Sequence, residues 1–168
     1  MSNYEVNVAI LTVSDTRDTS NDTSGDFLVA AIEADGHKLV DRKLVKDDIY
    51  LLRAVISQWI ADAEVQAVLV TGGTGFSSRD STPEAVSPLL DKTIVGFGEL
   101  FRQLSYREID SSTIQSRAFA GIANNTLIFC IPGSTGACRT AWNGIIQEQL
   151  DSTHTPCNFV GALKLDQH

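Results

Sequence analysis

The sequence predicts an α/β fold, a three-layer α/β/α sandwich built on a mostly parallel sheet. Three observations carry that expectation. Three short, nearly continuous apolar runs, "VNVAILTV" (6–13), "VQAVLV" (65–70) and "TLIFCI" (126–131), have the character of strands buried on both faces. Between them lie segments whose apolar residues recur at helical spacing. The 168 residues contain no internal repeat, low-complexity tract or Pro/Gly/Ser linker, so a single domain over 1–168 is expected. Strands that alternate with helices pair in parallel, and the loops leaving their carboxyl ends gather along one edge, where ligands bind.

Each element has its own signal. After the first strand comes the polar loop "SDTRDTSND", and Thr23-Ser24 is expected to cap a helix carrying Phe27, Leu28, Ala31 and Ile32, with Gly36 at its end. "KLVDRKLV" (38–45) reads as a second strand. Asp47-Asp48 opens a helix whose Leu52, Val55, Ile56 and Trp59 form a buried face. Following the third strand, Ser81-Thr82-Pro83-Glu84 has a capping-box pattern with proline in the first turn. "TIVGF" (93–97) is a possible short strand, while "GELFRQLSYREI" and "TIQSRAFAGIA" look helical. A last helix is expected from Ala137 to Leu150 with Trp142, Ile145, Ile146 and Gln149 near its inner face, and "STHTPCNFVGALKLDQH" has no clear pattern.

Composition narrows the class. Hydrophobic content of 43% and charged content of 20% suit a soluble globular protein. The net charge of -8 and the lack of a basic run argue against nucleic acid as a main partner. No run approaches the roughly 20 apolar residues of a membrane span, and "MSNYEVN" does not have the pattern of a signal peptide. Cys130, Cys138 and Cys157 are odd in number and lack CxxC spacing, so a reducing cytoplasm with no disulfide framework is expected. His37, His154 and His168 are too scattered for a zinc site.

The chemistry concentrates in "TGGTGFSSRDSTPEA" (71–85), which leaves the third strand. Glycine occupies three of the four positions 72–75, more than a packing turn needs, since each costs backbone entropy. Thr71, Gly72, Gly73, Thr74 and Gly75 can present consecutive N–H groups as a nest for an anion such as a phosphate. A side chain at Gly73 should then block close approach of phosphate to the backbone. The spacing fits neither the dinucleotide fingerprint, which weakens a nicotinamide-type reading, nor the nucleotide P-loop. Arg79-Asp80 follows, and "LVKDD" places Asp47 after the second strand. Taken alone, Asp47 or Asp48 would be a helix cap and Arg79 a surface cation; on one edge, Asp47 and Asp80 plus phosphate oxygens make a natural Mg²⁺ site. Ser14-Asp15, the helix start at Gly25 and the turn Gly133-Ser134 bring further anion-ready loops to that edge, which suits a long polyanion.

The segments "AILTVSD", "DTSG", "VTGGTG", "RDSTPEA", "GFGELFRQLSYREI", "QSRAFAGIANNTLIF", "PGSTGACRTAW" and "PCNF" resemble the molybdenum cofactor biosynthesis proteins B, relatives of molybdopterin adenylyltransferase and of the corresponding gephyrin domain. The likeness covers nearly the whole chain. It implies a single molybdopterin-binding domain, assembly as a trimer or hexamer, and a place among other enzymes of the molybdenum cofactor pathway. In competent members it implies adenylylation of molybdopterin by Mg-ATP with release of pyrophosphate. The metal-binding aspartates of such enzymes fall on Asp47 and Asp80, and the nucleotide and pterin phosphates near Ser14, Gly25, Thr71 to Gly75, Arg79, Gly133 and Ser134. Lys46 departs from the proline usual before the first aspartate. Two functions follow from the resemblance: an adenylyltransferase, which needs Arg79-Asp80 and Asp47, or a non-catalytic pterin carrier or scaffold, which has no evident use for them.

Overall fold

The computed structural model describes residues 2–165, so His168 lies outside them. Strand and helix alternate through the first half: β1 (Asn7–Val13), α1 (Thr23–Ala34), β2 (Lys38–Val45), α2 (Ile49–Ala61), β3 (Ala67–Thr71) and the short α3 (Thr82–Val86). The second half contains β4 (Lys92–Thr93), α4 (Val95–Ile109), β5 (Phe119–Ala123), β6 (Thr126–Ile131) and α5 (Thr135–Ala141), which runs on through a π turn at Trp142–Ile146 into α6 (Gln147–Gln149). One mixed sheet has the order β2-β1-β3-β6-β5-β4. The first four of these pair in parallel, and β5 and β4 are added antiparallel.

Alternation along the strands splits the core in two. Val8, Ile10, Leu69, Leu127 and Phe129 face α1, α4 and the α5 region, where Leu28, Phe101 and Trp142 meet them. Ala9, Leu11, Val68, Val70 and Cys130 face α2 and α3, packing on Leu52, Ile56, Trp59 and Val86. A parallel strand buried on both faces therefore reads as a continuous apolar run, and the expected three-layer sandwich is the result. The edge strand β2 is half-buried from Leu39 to Val45 and exposed at Lys38, consistent with the polar residues in its sequence.

Several local expectations change. "TIQSRAFAGIA" is not helical: a 3-10 turn at Asp110–Gln115 leads into β5. Asn124 and Asn125 both adopt positive φ (48° and 56°), the two-residue turn that folds β5 back on β6. Hairpin pairing thus overrides the alanine-rich helical propensity. "TIVGF" contributes only Thr93 to β4, since α4 already begins at Val95. The final helix starts two residues early, at Thr135, where the Ser134 hydroxyl accepts from the Ala137 amide (3.1 Å). Asp22, rather than Thr23 or Ser24, caps α1: it accepts from the Gly25 amide at 3.0 Å. Ser81 stands at the start of α3, but the capping box does not form, because its hydroxyl is drawn to Asp47 instead.

Candidate functional site

The carboxyl ends of the central strands β1, β3 and β6 open into a cleft of about 420 Å³. Its lining includes Thr12 near the end of β1 and Ser14 just beyond it, the turn Thr71–Gly75 that begins at the last residue of β3, and Gly133-Ser134 after β6. Parallel pairing of three adjacent strands puts these sequence-distant loops side by side. Asp80 forms part of the same wall.

The glycine-rich turn has separable duties. Gly72 adopts φ of 111°, and a Cβ there would lie 2.1 Å from the Val13 carbonyl oxygen, so this position demands glycine for packing. Its amide donates to Ile131 O (2.9 Å) and its carbonyl accepts from the Thr82 hydroxyl (2.8 Å). Thr71 is likewise committed, donating its hydroxyl to Pro132 O at 3.0 Å. Among the described residues, the amides of Gly73, Thr74 and Gly75 have no acceptor, although Thr74 is buried. Three consecutive amides without a protein acceptor, the middle one on a buried residue and its neighbours half-buried, make a row suited to an anion. At Gly73 a Cβ would lie 2.3 Å from Thr82 Oγ1 and 2.7 Å from Asp47 Oδ2. Gly73→Val would therefore disturb the seat of Asp47 as well as phosphate approach, which differs from the expected effect.

Three acidic loops meet beside the cleft. Asp48 is the cap of α2, accepting from the amides of Tyr50 and Leu51 (both 2.9 Å), which leaves Asp47 free for another role. Asp47 Oδ1 accepts from the Ser81 amide (3.1 Å) and hydroxyl, and the Asp47 amide donates to Asp15 Oδ1 (3.1 Å). Arg79 forks onto Asp15 through Nε and Nη2, at 2.9 and 3.0 Å. The guanidinium hydrogen bond holds the Asp15 carboxyl down to about 2. Burial pushes the Asp47 carboxyl up, and the nearby negative charges of Asp80 and Asp15 push the same way, outweighing the help from Ser81. Asp47, Arg79 and Asp80 border one shallow groove, and Asp80 joins that groove to the main cleft.

This acidic corner fits a divalent cation. Asp47 is buried, has no cationic partner among the described residues, and its charge is disfavoured where it stands. No cluster of three or more His, Cys, Asp or Glu with metal-site geometry occurs among the described residues. Two carboxylates with no protein cage match Mg²⁺, which completes its shell with phosphate oxygens and water.

Of the expected residues, Ser14, Thr71 to Gly75, Asp80, Gly133 and Ser134 line the cleft, with Asp47 and Arg79 at its acidic margin. Gly25 stands apart. Its amide is taken by Asp22, and a Cβ there would meet Asp22 Oδ2 at 2.2 Å, so its reason is packing over a buried carboxylate. Sequence reasoning missed Arg17, whose guanidinium is steadied by Ser24 Oγ (3.0 Å) at the cleft wall. The loop "SDTRDTS" contained that signal as a cation among anion-ready groups. It also missed the opposite wall, Phe101, Ser105, Ile109, Gln115 and Ser116, which no local pattern ties to the glycine turn.

Residues 9–152 match the protein family described as "Probable molybdopterin binding domain". The chain is 55% identical over 157 residues to molybdenum cofactor biosynthesis protein B of Escherichia coli (strain K12), covering 94% of this chain and 92% of that one. It superposes on a crystal structure of molybdenum cofactor biosynthesis protein B with a TM-score of 0.86 and 44% identity, over 89% of this chain and 94% of the other. It is also similar to the tungsten cofactor synthesizing protein MoaB from Pyrococcus furiosus, with a TM-score of 0.77, 32% identity and coverage of 86% and 92%.

Proposed function

The chain belongs to the molybdenum cofactor biosynthesis protein B family, and from that premise we propose that it binds molybdopterin and adenylylates it with Mg-ATP. The observation that carries this reading is the juxtaposition of the free amides of Gly73–Gly75 with the carboxylates of Asp47 and Asp80. One half of that arrangement binds phosphate oxygens, and the other suits a cation that phosphate oxygens also bind.

In the proposed reaction a terminal phosphate oxygen of molybdopterin forms a bond to the α-phosphorus of ATP. The bond from that phosphorus to the oxygen bridging it to the β-phosphate breaks, and pyrophosphate leaves. The attacking oxygen is already ionised near neutral pH, so no general base is required, and the lack of a histidine among the described residues that line the cleft is no obstacle. Such transfers depend on alignment and on stabilising developing charge. The amides of Gly73, Thr74 and Gly75 would hold phosphate oxygens without reorganisation. Arg17 adds positive charge at the cleft wall, and the amides of Gly133 and Ser134 lie at the third loop. Mg²⁺ held by Asp47 and Asp80 would supply neutralisation of phosphate charge. Asp15 keeps Arg79 aligned at the margin of that pair.

The test is purified protein with molybdopterin and Mg-ATP, scored for adenylylated product. Asp80→Asn keeps the side-chain shape and should lower turnover by roughly 10²–10³, the scale of losing one preorganised electrostatic contact. Molybdopterin binding, which rests on amides and hydroxyls, should survive. Equal turnover in both proteins would remove the role given to Asp80. No turnover in the unmodified protein, with the pterin still bound, would favour a carrier.

A further inference from the structure

The glycine turn is held from outside by one arginine. Arg117 lies between the 3-10 turn and β5, and its own amide donates to Thr74 O (2.9 Å). Its side chain then reaches along the turn: Nε donates to Gly75 O at 2.9 Å and Nη2 to Asp80 O at 3.1 Å. Nη1 donates to the Glu84 carboxylate, and the guanidinium carbon sits 5.1 Å from the centre of the Phe76 ring. All three guanidinium nitrogens are therefore engaged, on partners spread from Gly75 to Glu84. Among the residues described as lining the main cleft and the acidic groove, Arg117 is absent.

The geometry points to Arg117 as the positioning residue of this site, a clamp that fixes the free amides of the glycine turn and the carboxylate of Asp80 relative to each other. A planar fork that holds both Gly75 O and Asp80 O sets the span of the intervening Phe76–Arg79 tip. Asp80 Oδ2 is itself tied inside that tip by the Ser77 amide at 2.9 Å. The clamp also joins the two walls of the cleft, because its neighbours Gln115 and Ser116 form the opposite side. Lysine cannot replace it: a single ammonium lacks the rigid fork and the flat face over Phe76. The effect on turnover rests on the proposed adenylyl transfer; the effect on the loop does not.

Arg117→Lys in the full chain tests this by amide hydrogen exchange, with molybdopterin affinity and turnover measured alongside. Hydrogen bonds to charged groups correspond to about 10–100-fold in an opening equilibrium. The hydrogen-bonded amides of the turn, Ser77 on Asp80 Oδ2, Asp80 on Ser77 O and Thr82 on Gly73 O, are expected to exchange at least ~10-fold faster, while those of β1, β3 and β6 keep their protection. Turnover should fall mainly in kcat, with the KM for ATP changing less, because the turn still forms but is no longer aligned. Glu84→Gln removes only the outward ion pair and serves if the lysine variant does not fold. It should loosen the same amides by a smaller factor, roughly 2–5-fold. Unchanged exchange of the Ser77, Asp80 and Thr82 amides in the folded variants, or exchange that rises equally across the sheet, would overturn the clamp. If the unmodified protein shows no turnover, exchange and pterin affinity still decide it, and only the catalytic reading fails.

Discussion

At the residue level, the same residue types serve opposite ends, and burial decides which. The three cysteines illustrate this. Cys130 lies in the sheet core, where burial alone drives its thiol far upward. Cys138 is buried against Thr71, and burial pushes its thiol up to about 11, more than the Thr71 and Ser24 hydroxyls offset. Thiolate is the reactive form, so neither should react near neutral pH. Only Cys157 is exposed. Treating the native protein with iodoacetamide at pH 7.5 (roughly where a free thiol begins to ionise) should add one label, located at Cys157 by mass spectrometry. Rapid labelling of Cys138 with loss of ligand binding would contradict the structural role of that thiol. The adjacent aspartates 47 and 48 divide in the same manner. In sequence both are helix-cap candidates; in space one caps α2 and the other is buried, carrying a disfavoured charge at the cleft margin.

At the level of elements, α1 depends on a buried polar cluster that its sequence does not announce. Asp22 is 1% exposed and accepts from Thr12 Oγ1 at 2.7 Å, the Gly25 amide at 3.0 Å and Arg42 Nη2 at 3.1 Å. One carboxylate thereby caps the helix and ties it to β1 and β2. Burial would raise its pKa, but these hydrogen bonds outweigh burial and hold the carboxyl below its ordinary 3.8. Asp22→Asn should cost about 2–4 kcal/mol, combining a lost cap with a broken pair that the 30% exposure of Arg42 only partly relieves. The depressed folded pKa fixes the sign. The stabilisation is fully present above the ordinary carboxylate value and is lost as pH falls through the lower folded value. Urea unfolding should therefore show a difference that holds at neutral pH and narrows in acid below 3.8. A gap that widens on acidification would refute this account. The legibility of the elements follows burial in the same way. Strands covered on both faces were readable as apolar runs, whereas β5 was not, because its Phe119–Ala123 segment becomes a strand only by pairing with β6.

On the scale of the whole molecule, the sheet order brings the site together, and assembly is the remaining expectation. Large apolar side chains stay exposed on α4 and the following turn: Val95 at 62%, Tyr106 at 57%, Ile109 at 50% and Ile114 at 69%. A closed cyclic assembly could bury such a stripe by repeating one contact. We expect sedimentation velocity at micromolar concentration to show a species of three or six chains, and monomer alone would refute it. No described helix is long and apolar enough to cross a membrane.

The sequence by itself determined the layer architecture and the bare backbone of the glycine turn. Continuous apolar runs, helical periodicity and three glycines in four positions are local facts that local physics converts into strands, helices and a bare backbone loop. Tertiary structure alone decided which polar groups are free. Asp48 caps a helix while Asp47 does not, Gly25 packs on Asp22, the Gly72 amide is spent on Ile131, and Arg117 clasps a turn that lies some forty residues earlier in the chain. Whether a donor or a charge is available to a ligand depends on what parallel pairing and the β5–β6 hairpin place beside it, and those neighbours come from distant sequence.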